Sequence, residues 1–178
     1  MKLLFLDFDG VLNSFRPTNH QKDESFLATW SAKRTPTTTH TMSNPLRHLE
    51  DLDMDAVAKV NHIVTTSGCK VVVSSTWRTV YSAEDLQWLL EGAGFTGEVI
   101  GITKDFSSRP RLSQYISGVR GDEIKAYVEA SSGIESYVVL DDHDDVGSIG
   151  DRWVRVSNSV GLTDADVEKV LKLFEEAS

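Results

Sequence analysis

The sequence predicts a three-layer α/β fold, a parallel sheet of about five strands with helices on both faces. Leu3-Leu4-Phe5-Leu6 is an apolar run without alternation, the pattern of a strand buried on both sides. Further short runs rich in β-branched residues alternate with stretches of helical periodicity, which calls for right-handed crossovers rather than hairpins. Three of these runs also end abruptly in acids or hydroxyls, where an open parallel sheet gathers its ligand-binding groups.

The first strand leads into Asp7-Phe8-Asp9-Gly10. In extended chain Asp7 and Asp9 share a face, and Gly10 permits a sharp turn. Taken alone, such a pair of acids is most often a surface turn. Residues 13–52 then lose periodicity; they are polar, rich in Ser, Thr, Asn and His, and broken by Pro17, Pro36 and Pro45. Roughly forty residues is too long for a plain connection, so this stretch is expected to be a flap or minimal cap inserted in a single domain spanning 1–178. His20, His40 and His48 lie in it without metal-ligand spacing.

Met54, Val57, Val60 and Val64 mark a helix over 53–67, with Gly68 as its stop. Lys70–Val73 is the second strand, followed by Ser74-Ser75-Thr76-Trp77-Arg78. Ser82 and Asp85 form a capping box for a helix carrying Leu86, Leu89 and Leu90. Residues 98–103 make a third strand, and a long loop, 104–119, carries Lys104, Arg109 and Arg111, three cations that mildly favour a polyanionic substrate. A helix over 122–130 presents Ile124, Tyr127 and Val128. Ser136–Leu140 is the fourth strand, entering Asp141-Asp142-His143-Asp144-Asp145. Residues 153–156 are the fifth, reached by a connection short for a full crossover helix. Thr163 and Asp166 cap a last helix with Val167, Val170, Leu171 and Phe174 inward.

The 178 residues are 40% hydrophobic and 25% charged, ordinary for a globular domain. A net charge of −9 and a pI near 5.0 argue against a protein that coats nucleic acid. Cys69 has no partner for an internal disulfide and reads as a packed thiol. No apolar segment approaches the ~20 residues needed to span a bilayer. The first strand begins almost at Met1, leaving no room for a cleaved leader, so a cytoplasmic protein with no membrane attachment is expected.

Asp7 with Asp9, Ser74 with Ser75, and Asp141 with Asp142 all end strands, and a parallel sheet brings such ends to one edge. Several carboxylates together raise one another's pKa unless a cation sits among them. All-oxygen ligands suit a hard ion, and Mg²⁺ is the usual choice where a phosphate completes the shell. A calcium loop starting at Asp142 fails its template, because Val146 and Trp153 occupy positions five and twelve. Carboxylates, a strand-end hydroxyl and a nearby cation are what phosphoryl transfer requires.

These motifs resemble the haloacid dehalogenase (HAD) superfamily of aspartate-nucleophile phosphatases, over nearly the whole chain outside 13–52. Asp7-Phe8-Asp9-Gly10-Val11-Leu12 is similar to its first motif, Val71-Val72-Val73-Ser74 to its second and Val138-Val139-Leu140-Asp141-Asp142 to its fourth. The resemblance implies a Rossmann-like sheet, an aspartyl-phosphate at Asp7 and Mg²⁺ as cofactor. It makes Asp7 nucleophile and metal ligand. Asp9 becomes general acid/base and also a metal ligand through its backbone carbonyl, and Ser74 the phosphoryl-binding hydroxyl. Asp142 is the preferred direct metal ligand, supported by Asp141 and Asp145. The third motif, a lone Lys or Arg at a helix start, is met by Arg120 or else by Lys125. Ser75 and Arg78 are candidate substrate contacts, although Arg78 reads equally as a surface charge; Trp77 reads as packing rather than as a base-stacking platform.

Ser-Ser-Thr-Trp-Arg, Arg-Gly-Asp-Glu-Ile and Leu-Asp-Asp together with Gly161-Leu162-Thr163 are similar to a small bacterial and phage group also found attached to RNA-repair proteins. That implies a phosphate ester on a nucleotide or a nucleic-acid end, within an expected substrate range of phosphorylated small molecules and nucleic-acid ends. The alternatives are a phosphotransferase or phosphomutase of the same superfamily, a signalling receiver, or a non-catalytic phosphate-binding module. Receivers normally place the acceptor acid on a middle strand, and a binding module has no use for a second acid at Asp9.

Overall fold

The computed structural model describes residues 1–14, 49–106 and 119–177. The interior of the expected insert, 15–48, with its three histidines, and the loop 107–118, with Arg109 and Arg111, lie outside the described residues.

Five parallel strands form one sheet in the order β3-β2-β1-β4-β5: β1 (Lys2–Leu6), β2 (Lys70–Val73), β3 (Val99–Ile102), β4 (Ser136–Asp141) and β5 (Trp153–Arg155). Helix α1 (Met54–Ser67) links β1 to β2, and α2 (Ala83–Gly92) links β2 to β3. Helix α3 (Val119–Ala130) leads into β4, a 3₁₀ segment (Gly147–Arg152) joins β4 to β5, and α4 (Asp164–Glu176) follows β5. From β1 the chain moves outward through β2 to β3, then returns to β4 and moves the other way to β5. Right-handed crossovers therefore put α1 and α2 on one face and α3 with the 3₁₀ segment on the other.

The packing follows that division. Leu4, Leu6, Val71, Val73, Val138 and Leu140 meet Val57, Val60 and Ile63 of α1, Leu86 and Leu89 of α2, and Val170 and Phe174 of α4. The alternate residues Leu3, Phe5, Val72 and Val139 turn to the other face and meet Ile124 of α3 with Val146 and Ile149. Both faces of β1 are thus dry, which is why its sequence shows no period of two. At about 1.5–3 kcal/mol for each large aliphatic side chain, this double burial fixes the strand register from both sides.

The expected caps form. Gly68 ends α1 at φ 71°, and Ser82 with Asp85 and Thr163 with Asp166 complete reciprocal capping boxes. Helix α3 already includes Val119, three residues before the start that its apolar periodicity indicates, so Arg120 lies within it. Strand β4 runs one residue further than its apolar core, because Asp141 pairs with Arg155. Strand β5 ends at Arg155, one residue short of the expectation. At the root of the 13–52 segment the Asp53 N–H donates to the Leu12 carbonyl at 2.7 Å, and Leu49 and Leu52 are buried in the core. Among the described residues no helix is long and apolar enough to cross a membrane.

Candidate active site

The direction of travel reverses between β1 and β4, so a crevice opens at their carboxyl ends. Asp7 and Asp141 stand on its two sides. The Asp7 N–H donates to the Leu140 carbonyl and the Ser74 N–H to the Leu6 carbonyl, each at 3.0 Å, which carries the ladder one residue past the strands. A cavity of about 600 Å³ opens above, lined by Asp7, Asp9, Asp142, Asp145, Arg120 and their neighbours.

One carboxylate oxygen from each of Asp7, Asp141 and Asp142 can be chosen so that all three lie within 4.8 Å of one another. Arg120 bridges two of them, with Nη1 3.3 Å from Asp7 Oδ1 and 3.4 Å from Asp141 Oδ2, and it donates to the Ser74 carbonyl as well. Burial pushes the Asp7 carboxyl above its ordinary value, against the pull of Arg120. Burial and the neighbouring Asp7 carboxylate push Asp141 up to about 7. Burial works against the Arg120 charge, yet Asp141, Asp7 and Asp145 together raise its pKa. One guanidinium thus faces an excess of acid.

The donor set fits a hard divalent cation. Asp142 Oδ1 and Asp145 Oδ1 are buried without a hydrogen bond, and Asp141 Oδ2 has only its ion pair with Arg120; buried carboxylate oxygens left this way are costly unless an ion or a proton takes them. Ser74 Oγ is likewise buried and without a hydrogen bond at the end of β2.

Gly10 shapes the entrance to this cluster. Its φ is 76°, and a Cβ there would stand 2.6 Å from Asp142 Cγ, so both the turn and the close approach require glycine.

Asp9 belongs to the cavity but not to the carboxylate cluster. Trp77 Nε1 lies 3.1 Å from each of its carboxylate oxygens, and Asn13 Nδ2 donates to Oδ1 at 2.7 Å. Asn13 is fixed in turn by the Gly10 N–H, which donates to its Oδ1 at 3.0 Å. Trp77 is buried and packs edge-on against Phe8, with centroids 5.1 Å apart. The indole is packing, as the sequence indicates, and it is also a donor to Asp9.

The other candidates take separate places. Ser75 is fully buried; its hydroxyl accepts from the Trp77 N–H at 3.4 Å and its hydrogen bond to Asp7 lowers that carboxyl's pKa. Arg78 is 8% exposed, so it is no surface charge. Its guanidinium donates to the Ser74 and Ser75 carbonyls at 2.5 and 2.7 Å and pairs with Glu123 at 2.5 Å. Lys125 is half-buried on α3 and does not line the 600 Å³ cavity. Three residues escape a reading of motifs: Asn13, Asn158, which also lines the cavity, and Glu123. Asn13 carries a weak local signal, since an Asn three residues after a turn glycine suits a side-chain-to-backbone bond. Glu123 shares a helix face with Arg120, but its partner lies on β2's loop.

A family model described as the HAD domain in Swiss Army Knife RNA repair proteins matches residues 3–167. Comparison with curated proteins and with solved structures gave no match. That family match spans all five strands and every acid of the crevice, and it agrees with the fold: the chain belongs to the HAD superfamily, as a HAD domain of this RNA-repair-associated family.

Proposed function

We propose that this domain is a Mg²⁺-dependent phosphomonoesterase that works through an aspartyl-phosphate at Asp7, on a phosphorylated small molecule, a nucleotide or a nucleic-acid end. In this reading 13–52 is an insert of one domain. The observation that carries it is a separation among the acids. Asp7 joins the Asp141–Asp142 cluster under Arg120, whereas Asp9 is held apart from it by Trp77 and Asn13. In this reading one carboxylate attacks and the other moves protons.

Asp7, Asp142, Asp141 and the Asp9 backbone carbonyl would hold the ion. Bound there, Mg²⁺ would neutralise the acids and draw charge from the phosphoryl oxygens. The chain's own residues supply the rest. A carboxylate oxygen of Asp7 forms a bond to phosphorus while the bond to the ester oxygen breaks, and protonated Asp9 gives that oxygen its proton. Asp9, now ionised, takes a proton from water. The resulting hydroxide attacks phosphorus, and the acyl-phosphate bond breaks to release phosphate and restore Asp7. The Ser74 hydroxyl is free to bond a phosphoryl oxygen, and Arg120 offsets the charge that gathers on the oxygens in transfer.

Asp7→Asn should abolish phosphate release from p-nitrophenyl phosphate while leaving the fold, read by circular dichroism and melting, intact. Turnover undiminished in that variant would sink the mechanism.

A further inference from the structure

The crevice does not end at the acids. A second cavity of about 290 Å³ lies beside the first, lined by Asp142, Arg155, Val156, Ser157 and Asn158. The two share Asp142 and Asn158 and so adjoin at those residues.

Arg155 gives this outer chamber its character. Its guanidinium carbon lies 5.6 Å from the centroid of the Trp153 ring, and among the described residues it has no carboxylate partner. The ring beneath it is itself fixed, because Trp153 Nε1 donates to the Asp141 carbonyl at 3.0 Å. An arginine stacked on a tethered indole forfeits less freedom on binding than one swinging in solvent. Arg120, the cation of the inner cavity, is buried and committed to Asp7 and Asp141. Asp9, Asp142 and Asp145 repel a second anionic group on a substrate, whereas Arg155 in the outer cavity attracts one. Beside Arg155, Ser157 and Asn158 offer hydroxyl and amide donors, groups that suit phosphate oxygens.

We propose that the outer chamber is a subsite for a second phosphate, so that the preferred substrate is a phosphomonoester carrying another phosphate group. This rests on the phosphatase reading above. The second group is either a phosphodiester of an oligonucleotide or a second monoester of a small molecule, and the substrates used in the test separate the two.

The test compares kcat/KM for a nucleoside 5′-monophosphate, the matching 3′,5′-bisphosphate and a 5′-phosphorylated dinucleotide. The protein should favour one of the last two by about tenfold or more, the worth of one charge-assisted contact. Whichever is favoured identifies the source of the second phosphate. Arg155→Ala should collapse that ratio towards one, Arg155→Lys should restore part of it, and added salt should erode it in the unaltered protein. No preference in the unaltered protein, or an Arg155→Ala loss shared equally by all three substrates, overturns the subsite. Calorimetric binding of the same compounds to Asp7→Asn, with and without Arg155→Ala, separates the two readings. An Arg155-dependent preference in binding without turnover in the unaltered protein keeps the subsite and rejects the phosphatase. Turnover without an Arg155-dependent preference does the reverse.

Discussion

The indole Nε1 of Trp77 donates to both carboxylate oxygens of Asp9, at 3.1 Å to each. Asp9 is solvent-exposed, and an exposed carboxylate ordinarily samples several rotamers. Here a buried indole and Asn13 hold one orientation. If Asp9 is the proton carrier, Trp77 is a positioning residue for it, although the two are far apart in sequence.

Trp77→Phe keeps an aromatic ring against Phe8 and Tyr81 and removes only the donor. We expect kcat to fall about tenfold for alkyl phosphates, a part of the 10²–10⁴ ascribed to a well-placed acid. The initial burst with p-nitrophenyl phosphate, whose leaving group needs little protonation, should be far less affected. Comparing the two leaving groups decides the matter, because a general loss of structure would lower both alike.

Asp141 has a pKa raised by burial and by Asp7 to about 7, above the ordinary carboxylate value of 3.8. A carboxyl whose pKa is raised by folding favours the folded state while protonated and loses that contribution as pH climbs through the folded value. Without a divalent ion the melting temperature should therefore fall between pH 5 and pH 8. With Mg²⁺ the fall should shrink, and the gain from Mg²⁺ should be larger at pH 8 than at pH 5. Melting curves in chelator and in Mg²⁺ across this range test it; a metal-free protein that grows steadily more stable towards pH 8 would contradict it.

Arg78 and Glu123 form a buried pair that ties three segments together. Arg78 holds the Ser74 and Ser75 carbonyls, while Glu123 accepts from the Phe106 N–H at 2.9 Å beyond β3. Burial lowers the Arg78 pKa and raises that of Glu123, and each partner opposes the other's shift. Glu123→Ala strands a guanidinium at 4% side-chain exposure and should cost about 3–5 kcal/mol in urea unfolding. Glu123→Gln, which keeps an acceptor, should cost less. A loss below about 1 kcal/mol in the Ala variant would show that water already reaches Arg78.

Much of this architecture is legible in the chain because its signals are local. Leu3–Leu6 and Val71–Val73 show no period of two because both sheet faces are covered, and Ser82–Asp85 and Thr163–Asp166 close caps within one turn. The acid pair before Gly10 and the pair after Leu140 stand out because each interrupts an apolar run at a strand end. The helical state of 119–121 is less legible, since Val-Arg-Gly has no apolar periodicity to mark it.

The sequence by itself determined the class of the fold, the parallel order of its elements and the strand ends where acids gather, since hydrophobic period and turn chemistry act between near neighbours. Only the tertiary structure decided which side chains touch. The sharing of Arg120 by Asp7 and Asp141, the grip of Trp77 on Asp9 and the burial of Arg78 against Glu123 all join segments whose adjacency comes from strand order and right-handed crossovers. Residue spacing along a chain carries no record of such contacts; they arise when the packed sheet fixes where each strand ends.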